Sequence, residues 1–305
     1  MIAFILKRFV WMVLTLWIVF TLSFFLMRAV PGGPFDSERN LPPEIKANLM
    51  RRYHLDEPPW KQYFRELSNV IRGDLGFPFK IGDVSVNEMV RQGFPVSAAL
   101  GLMALTFAIL VGLTAGILAA LSRGTWGDST LMALATIGIT LPNFVVAGFL
   151  ILLFVFTIPL FPAAGWGTIR QLILPAICLG GAYAAEVARI TRTSMLDVLS
   201  QDHIRTAQAK GLPKWQVVLR HALPTALLPV VSFLGPAAAG ILTGSLVIER
   251  IFAIPGLGSH FVQAALVRDY TVAMGLVLLY TVILYTFNFI VDLSYAVLDP
   301  RVEWK

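Results

Sequence analysis

Few side chains in this sequence have the type and setting for bond-making chemistry. Ser245 is the plausible nucleophile, embedded in an apolar stretch, but a hydrolase inside a membrane needs a base such as histidine within reach on a neighbouring element. The four histidines, His54, His203, His221 and His260, all lie outside the interiors of the apolar stretches. Their positions show neither His-Glu-x-x-His nor any other zinc-ligand spacing, so no catalytic residue and no metal site is assigned. Cys178 is the single cysteine and lies in an apolar segment, which excludes an internal disulfide and a thiolate metal cluster. No G-x-x-x-x-G-K-[ST] loop occurs, so the chain cannot cradle nucleotide phosphates in the P-loop manner; if ATP is used, a partner hydrolyses it.

What remains is the chemistry of recognition, concentrated in residues 203–224, HIRTAQAKGLPKWQVVLRHALP. Ile204, Ala207 and Gly211 fall at helical spacing before the break, and Trp215, Val218 and Leu219 after it. Two short amphipathic helices are expected. Gly211 can end the first with a residue at positive φ, and Pro213 sits where the second would start and needs no backbone donor. Arg205, Lys210, Lys214 and Arg220 surround the apolar stripe. That pattern suits either a groove on another protein or an anionic lipid surface.

The elements that carry this loop follow from composition. With 305 residues, 57% of them hydrophobic and 14% charged, and a mean hydropathy of +0.74, the chain has too little polar surface for a soluble globule. The net charge of +6 does not point to nucleic acid, because many basic residues flank apolar stretches instead of gathering on one polar face.

An uncharged run of 19 residues, 9–27, follows Lys7 and Arg8 and would be about 28 Å long as a helix, enough to cross the hydrocarbon core. A signal peptide would carry a shorter apolar core and a small-x-small cleavage site. This run instead closes on Met27, Arg28, Ala29, Val30 and Pro31, so an uncleaved first span is expected. Five more spans fall at about 95–122, 129–158, 171–195, 225–248 and 270–296, giving an all-α polytopic membrane protein with six transmembrane helices. The third is read as one helix, with Pro159, Pro162, Gly165 and Gly167 forming the loop after it. The fourth must reach past Glu186, which is expected to face protein, water or headgroups.

Lys7, Arg8, Arg123, Arg189, Arg192, Arg205, Lys210, Lys214, Arg220, Arg301 and Lys305 then lie inside, against Arg170, Arg250 and Arg268 in the short outer loops. The positive-inside rule therefore puts both termini and the 203–224 loop in the cytoplasm. The chain divides into 1–30 with the first span, an external helical subdomain at 31–93, and a core at 94–305 with an inner loop at 196–224 and an outer loop at 249–269. In the subdomain, Trp60, Tyr63, Phe64, Leu67, Val70 and Ile71 make an apolar stripe that Gly73 can end, and Ser85 with Glu88 forms a capping-box pattern before another short helix.

Ala207, Gly211, Leu223 and Pro224 match the EAA-type signature of ABC-importer permeases, with Arg205 in place of the signature's glutamate and His221 in place of its isoleucine. Residues 188–199 (ARITRTSMLDVL), residues 247–258 (VIERIFAIPGLG) and Arg268, Asp269 and Tyr270 look like the peptide-permease branch. So do Pro31 and Gly32, the segment LPPEIKANLMRRYHLDEPPWKQYF, and Gly73, Asp74, Leu75 and Gly76. Together these segments most resemble the B-type permease subunits of the oligopeptide branch, which the short 159–170 loop fits better than the dipeptide branch.

The resemblance implies the type I ABC importer fold in a bacterial inner membrane. Its partners would be a second, non-identical permease, two cytoplasmic ATPase subunits and an external peptide-binding protein. It implies no cofactor on this chain, with ATP and Mg on the ATPases. The coupling contact would be made by Ile204, Arg205, Ala207, Lys210, Gly211, Leu212, Pro213, Trp215, Leu219, Leu223 and Pro224. A peptide pathway needs polar groups in a bundle, and Thr140, Asn143, Tyr183, Ser232, Thr243 and Ser245 are the candidates, with Glu186, Asn288 and Asp292 as further polar positions. Most such residues serve as glue between helices. Pro255, Gly256, Leu257 and Gly258 are an outer gate, a surface for the binding protein, or a plain structured loop. The alternative is a proton-coupled secondary peptide transporter, against which stand only two marginal acids, Glu186 and Asp292, and no internal repeat. Cargo is left open among peptides, nickel chelates and glutathione.

Overall fold

The computed structural model describes residues 2–30, 35, 42–242 and 245–298. Pro31, Gly32, Leu41, Thr243, Arg301 and Lys305, all used above, lie outside the described residues. In chain order the helices are α1 (Ile2–Ala29), α2 (Pro43–Arg52), α3 (Pro59–Ile71), α4 (Val86–Leu121), α5 (Trp126–Thr140), α6 (Asn143–Ile151) and α7 (Ile169–Leu199). There follow α8 (Asp202–Ala209), α9 (Lys214–Gln216), α10 (Leu223–Ala226), α11 (Leu228–Leu242), α12 (Leu246–Ile251), α13 (Leu257–Val267) and α14 (Tyr270–Leu298). Wider π-helical turns extend α6 over Leu152–Thr157 and join α9 to α10 over Val217–Ala222. No strand occurs among the described residues. The fold is that of an all-α membrane protein, in which helices satisfy their own backbone groups.

Two compact units emerge, Met1–Val96 with Gly256–Ile283, and Ser97–Pro255 with Leu284–Lys305. In the first, Phe20, Phe24, Met274 and Leu278 form a buried cluster that Tyr63, Leu67 and Val70 of α3 cover. The expected stripe on α3 is therefore divided, because Trp60, Phe64 and Ile71 stay exposed. Tyr63 Oη accepts from Trp17 Nε1 at 3.0 Å and lies 2.8 Å from Thr21 Oγ1. Arg28, at the end of α1, donates to Gln62 Oε1 and, at 2.7 Å, to Glu66 Oε1. So α3 is bound along the C-terminal half of α1. Gly73 ends it at φ 77°.

Ser85 Oγ accepts from the Glu88 N–H at 3.3 Å, as its spacing suggests. The short helix expected there is instead the start of the 36-residue α4, which continues through Pro95 into the apolar run. The buried Asp269 carboxylate accepts from the Lys80 and Ile81 N–H groups at 2.8 and 3.2 Å and from Val272 N–H at 3.4 Å. It thereby fixes a loop against the first turn of α14.

The second unit is built around α7. A Cβ on Gly112 of α4 would meet Ala184 O at 2.6 Å, and one on Gly116 would meet Ala188 O at 2.6 Å, so the two backbones approach as only glycine permits. The third span differs from its expected form. It is two helices, α5 and the extended α6, bent by 108°. Leu141 precedes Pro142 and takes an extended conformation, ψ 128°, because proline excludes the α region for the residue before it. Ser97 Oγ donates to Glu249 Oε1 at 2.8 Å, and both residues are fully buried.

Candidate coupling surface

The 202–226 segment folds as its sequence suggests, with one reversal of faces. Asp202 stands in the first turn of α8, where a negative charge meets the positive end of the helix. The helix stops at Lys210, and Gly211 has φ 78° with its N–H bonded to Gln208 O at 2.9 Å. Pro213 caps α9 at φ −64° and ψ 147°. The π-helical turn comes directly before Leu223 and Pro224. Pro224 has no N–H to give to the carbonyl one turn back, and the widened turn accommodates that loss.

Ile204 and Ala207 were expected at a partner's groove, but they pack inside this chain. With Val217, Val218, Ala222 and Ala226 they form one apolar cluster on Met195 and Val198 of α7 and Ala120 at the end of α4. Leu212 and Leu223 are half-buried against the same cluster. A helix pair this short cannot hold its shape alone, so its apolar face is used to seat it. The outward face carries Arg205, Lys210, Gly211, Pro213, Lys214 and Pro224, with Trp215 and Leu219 58% and 52% exposed. Nothing lies within 4 Å of a Cβ built on Gly211. The surface is thus a rigid knob with two exposed apolar side chains inside a basic rim.

The pathway candidates are dispersed. Thr140 is exposed at the end of α5 and donates to Thr136 O at 2.8 Å. Asn143, half-buried, opens α6 across the break at Leu141 and Pro142. Tyr183 on α7 and Phe233 on α11 bring their rings to 6.4 Å. Ser232 is exposed and donates to Leu228 O. Ser245 caps α12, its Oγ accepting from Ile248 N–H at 3.5 Å, so its plain role is structural. Thr243 is outside the described residues. Glu186 pairs with Arg189 on its own helix at 2.6 Å. Asn288 and Asp292 are half-buried on α14.

Of the gate candidates, Pro255 is exposed and ends one unit, and Gly256 caps α13 in an extended conformation. Leu257 is fully buried beside Val86, Met89 and Val272, and Gly258 is buried next to it. In this conformation Leu257 is a core residue, not a surface that could meet cargo. Among the described residues no three His, Cys, Asp or Glu side chains converge to hold a metal.

Sequence reasoning missed three polar anchors. These are the Ser97–Glu249 hydrogen bond, the Asp269 carboxylate and an ion pair of Asp128 with Arg192. In the sequence Arg192 carries only a topology signal, and Asp128 is simply the charge before an apolar stretch. Their pairing across 64 positions leaves no local sequence pattern.

Comparison with known proteins places this architecture. The oligopeptide transport system permease proteins OppB of Haemophilus influenzae and of Escherichia coli K12 are each 48% identical over 306 aligned residues, covering all of both chains. The dipeptide transport system permease protein DppB of Bacillus subtilis is 46% identical, over 98% of this chain and 97% of its own. Inward-facing structures of the MetNI methionine ABC transporter share the fold, with a TM-score of 0.56 at 20% identity over 69% of this chain and 96% of theirs. An amino acid ABC transporter with histidines aligns at a TM-score of 0.51 and 17% identity, over 68% of this chain and 92% of its own. The family model for the inner membrane component of binding-protein-dependent transport systems matches residues 112–304, and with full-length relatives at this identity the chain belongs to that family of multi-pass permease subunits.

Proposed function

We propose that this permease carries oligopeptides and that the outward face of residues 203–224 is its contact with a cytoplasmic ATPase. The observation that carries the reading is the knob itself: Gly211 at φ 78° turns a seated helix pair so that Trp215 and Leu219 stay exposed within a basic rim. An apolar pair inside a charged ring is the form of a docking anchor. Full-length likeness to oligopeptide permease proteins supports the cargo class. The chain works beside a second, unlike permease and an external peptide-binding protein, with ATP and Mg bound by two ATPase subunits. The distribution of basic residues supports a cytoplasmic side for both termini. The proton-driven alternative gains nothing from the structure, where Glu186 is paired with Arg189 on its own helix.

ATP-driven closure of the ATPases would push the knob and shift the permease between inward-open and outward-open states, which requires a differential affinity for the two. Thr140 and Asn143, flanking the 108° break, are the pathway residues best supported, since the break frees backbone groups beside them.

Affinity purification of the tagged chain in mild detergent tests the reading. A second permease and two ATPase subunits are expected to co-purify, with ATP hydrolysis stimulated by peptide-loaded binding protein. Gly211→Asp adds a side chain where space is open, at a cost of about 1–2 kcal/mol for the left-handed backbone. The chain should still insert, but uptake and ATPase co-purification should be lost. Normal uptake by that variant would refute the docking role.

A further inference from the structure

Arg192 and Asp128 meet fork to fork: Nε donates to Oδ1 at 2.6 Å and Nη2 to Oδ2 at 2.7 Å. The Asp128 side chain is 6% exposed, and Oδ2 also accepts the Gly124 N–H at 3.0 Å. Gly124, at φ 75°, belongs to the turn joining α4 to α5. One carboxylate therefore ties together that turn, the first turn of α5, and α7. A bidentate pair fixes orientation as well as distance.

Two neighbouring facts give the pair a mechanical role. Arg192 stands one turn before Met195, and Met195 with Val198 forms the seat of Ile204 and Ala207 of the coupling loop. The end of α7 thus holds the coupling loop through one contact and α5 through another. Meanwhile Asp128 and Ala135 are the only buried residues of α5. The rest of α5 packs along α7, where a Cβ on Gly138 would lie 3.3 Å from Ala185 Cβ, but apolar packing leaves sliding and rotation open that the two-pronged ion pair fixes.

We propose that Asp128 and Arg192 are positioning residues that make α5 move with the coupling loop. Displacement of α8 then reaches the break at Leu141 and Pro142, and with it Thr140 and Asn143. This inference rests on reading residues 203–224 as the ATPase contact.

The test uses the complete importer in liposomes with peptide-loaded binding protein, and reads peptide transported per ATP hydrolysed. Asp128→Asn and Arg192→Gln should each lower that ratio about tenfold, within the usual range of a coupling free energy. The exchange variant, Asp128→Arg with Arg192→Asp, should transport more per ATP than the product of the two single losses. A role confined to folding would change the amount of complex but not the ratio. Should the single variants fail to assemble, Arg192→Lys, which keeps the charge but not the fork, is read instead, with an intermediate ratio expected. A wild-type ratio in the single variants, or in Arg192→Lys when those cannot be assembled, overturns the proposal; so does an exchange variant no better than the product. Failure of the underlying reading looks different: Gly211→Asp would then transport normally, whatever the state of the ion pair.

Discussion

The first span and the helix at the centre of the second unit are of similar length and opposite character. Only 11% of the most apolar stretch of α1 is buried within the chain, against 61% for α7. Yet α1 is the more uniformly hydrophobic, with Trp11, Trp17, Phe25 and Leu26 all exposed, whereas α7 carries Gly180, Ala184, Ala188, Thr191 and Arg192. In a bilayer, large apolar side chains gain nothing by leaving lipid for protein, so helices associate where residues are small or polar. Hydrophobicity marks what can face lipid, and smallness marks what packs.

Four substitutions would break or sharpen that contrast. Met195→Ala, fully buried on α7, should destabilise the chain by about 2–5 kcal/mol, while Leu26→Ala, 64% exposed on α1, should change it by less than about 0.5 kcal/mol. Thermal unfolding of the purified chain in detergent compares them. Equal losses would end the distinction; a Leu26→Ala loss seen only in the assembled importer would show that a partner, not lipid, covers α1.

Gly116→Ala should destabilise by about 1–3 kcal/mol, because the new Cβ would meet Ala188 O and Thr191 Cβ at 2.6 Å each. Gly148→Ala on α6, where nothing lies within 4 Å, should be neutral or stabilising by about 0.5–1 kcal/mol. The same unfolding assay decides both, and a stabilising Gly116→Ala would remove the close-approach account of α4 on α7.

The smallest effect is expected at the half-buried pair of Glu57 and Arg65. The Arg65 guanidinium bonded to Glu57 holds its carboxyl below the usual value. A lowered carboxyl pKa stabilises the folded state above the unfolded value of 4.5, and that contribution is lost as pH falls through the folded value. Unfolding followed from pH 7 downwards should show this acid sensitivity in the wild-type chain and not in Arg65→Gln. An identical profile would mean that the pair contributes nothing measurable, as for many surface ion pairs.

Local signals were readable from sequence wherever the physics is local. Gly211 adopts the positive φ its place between two helical patterns requires, and Ser85 caps as its spacing suggests. Gly73 ends α3 in the same way. The third span reads as one helix in the sequence, and the structure breaks it at Leu141 and Pro142. The size of the bend is set by the packing of α5 and α6 on α7, which no residue in 126–157 records. The stripe of the 203–224 loop is legible in the sequence and its partner is not: helical spacing gives Ile204 and Ala207 a common face but cannot say whether that face meets another protein or α7.

The sequence by itself determined the all-α membrane class, the break at Gly211 and the family, because hydropathy over a span, backbone preference at glycine and proline, and short signatures are properties of contiguous residues. Only the tertiary structure decided that Arg192 meets Asp128, that Glu249 is buried beside Ser97, that Leu257 is core, and which side of the 203–224 loop faces outward. Each of those joins residues far apart in sequence whose types are individually unremarkable. The gain from pairing or burying them exists only once other helices have brought them together and excluded solvent between them.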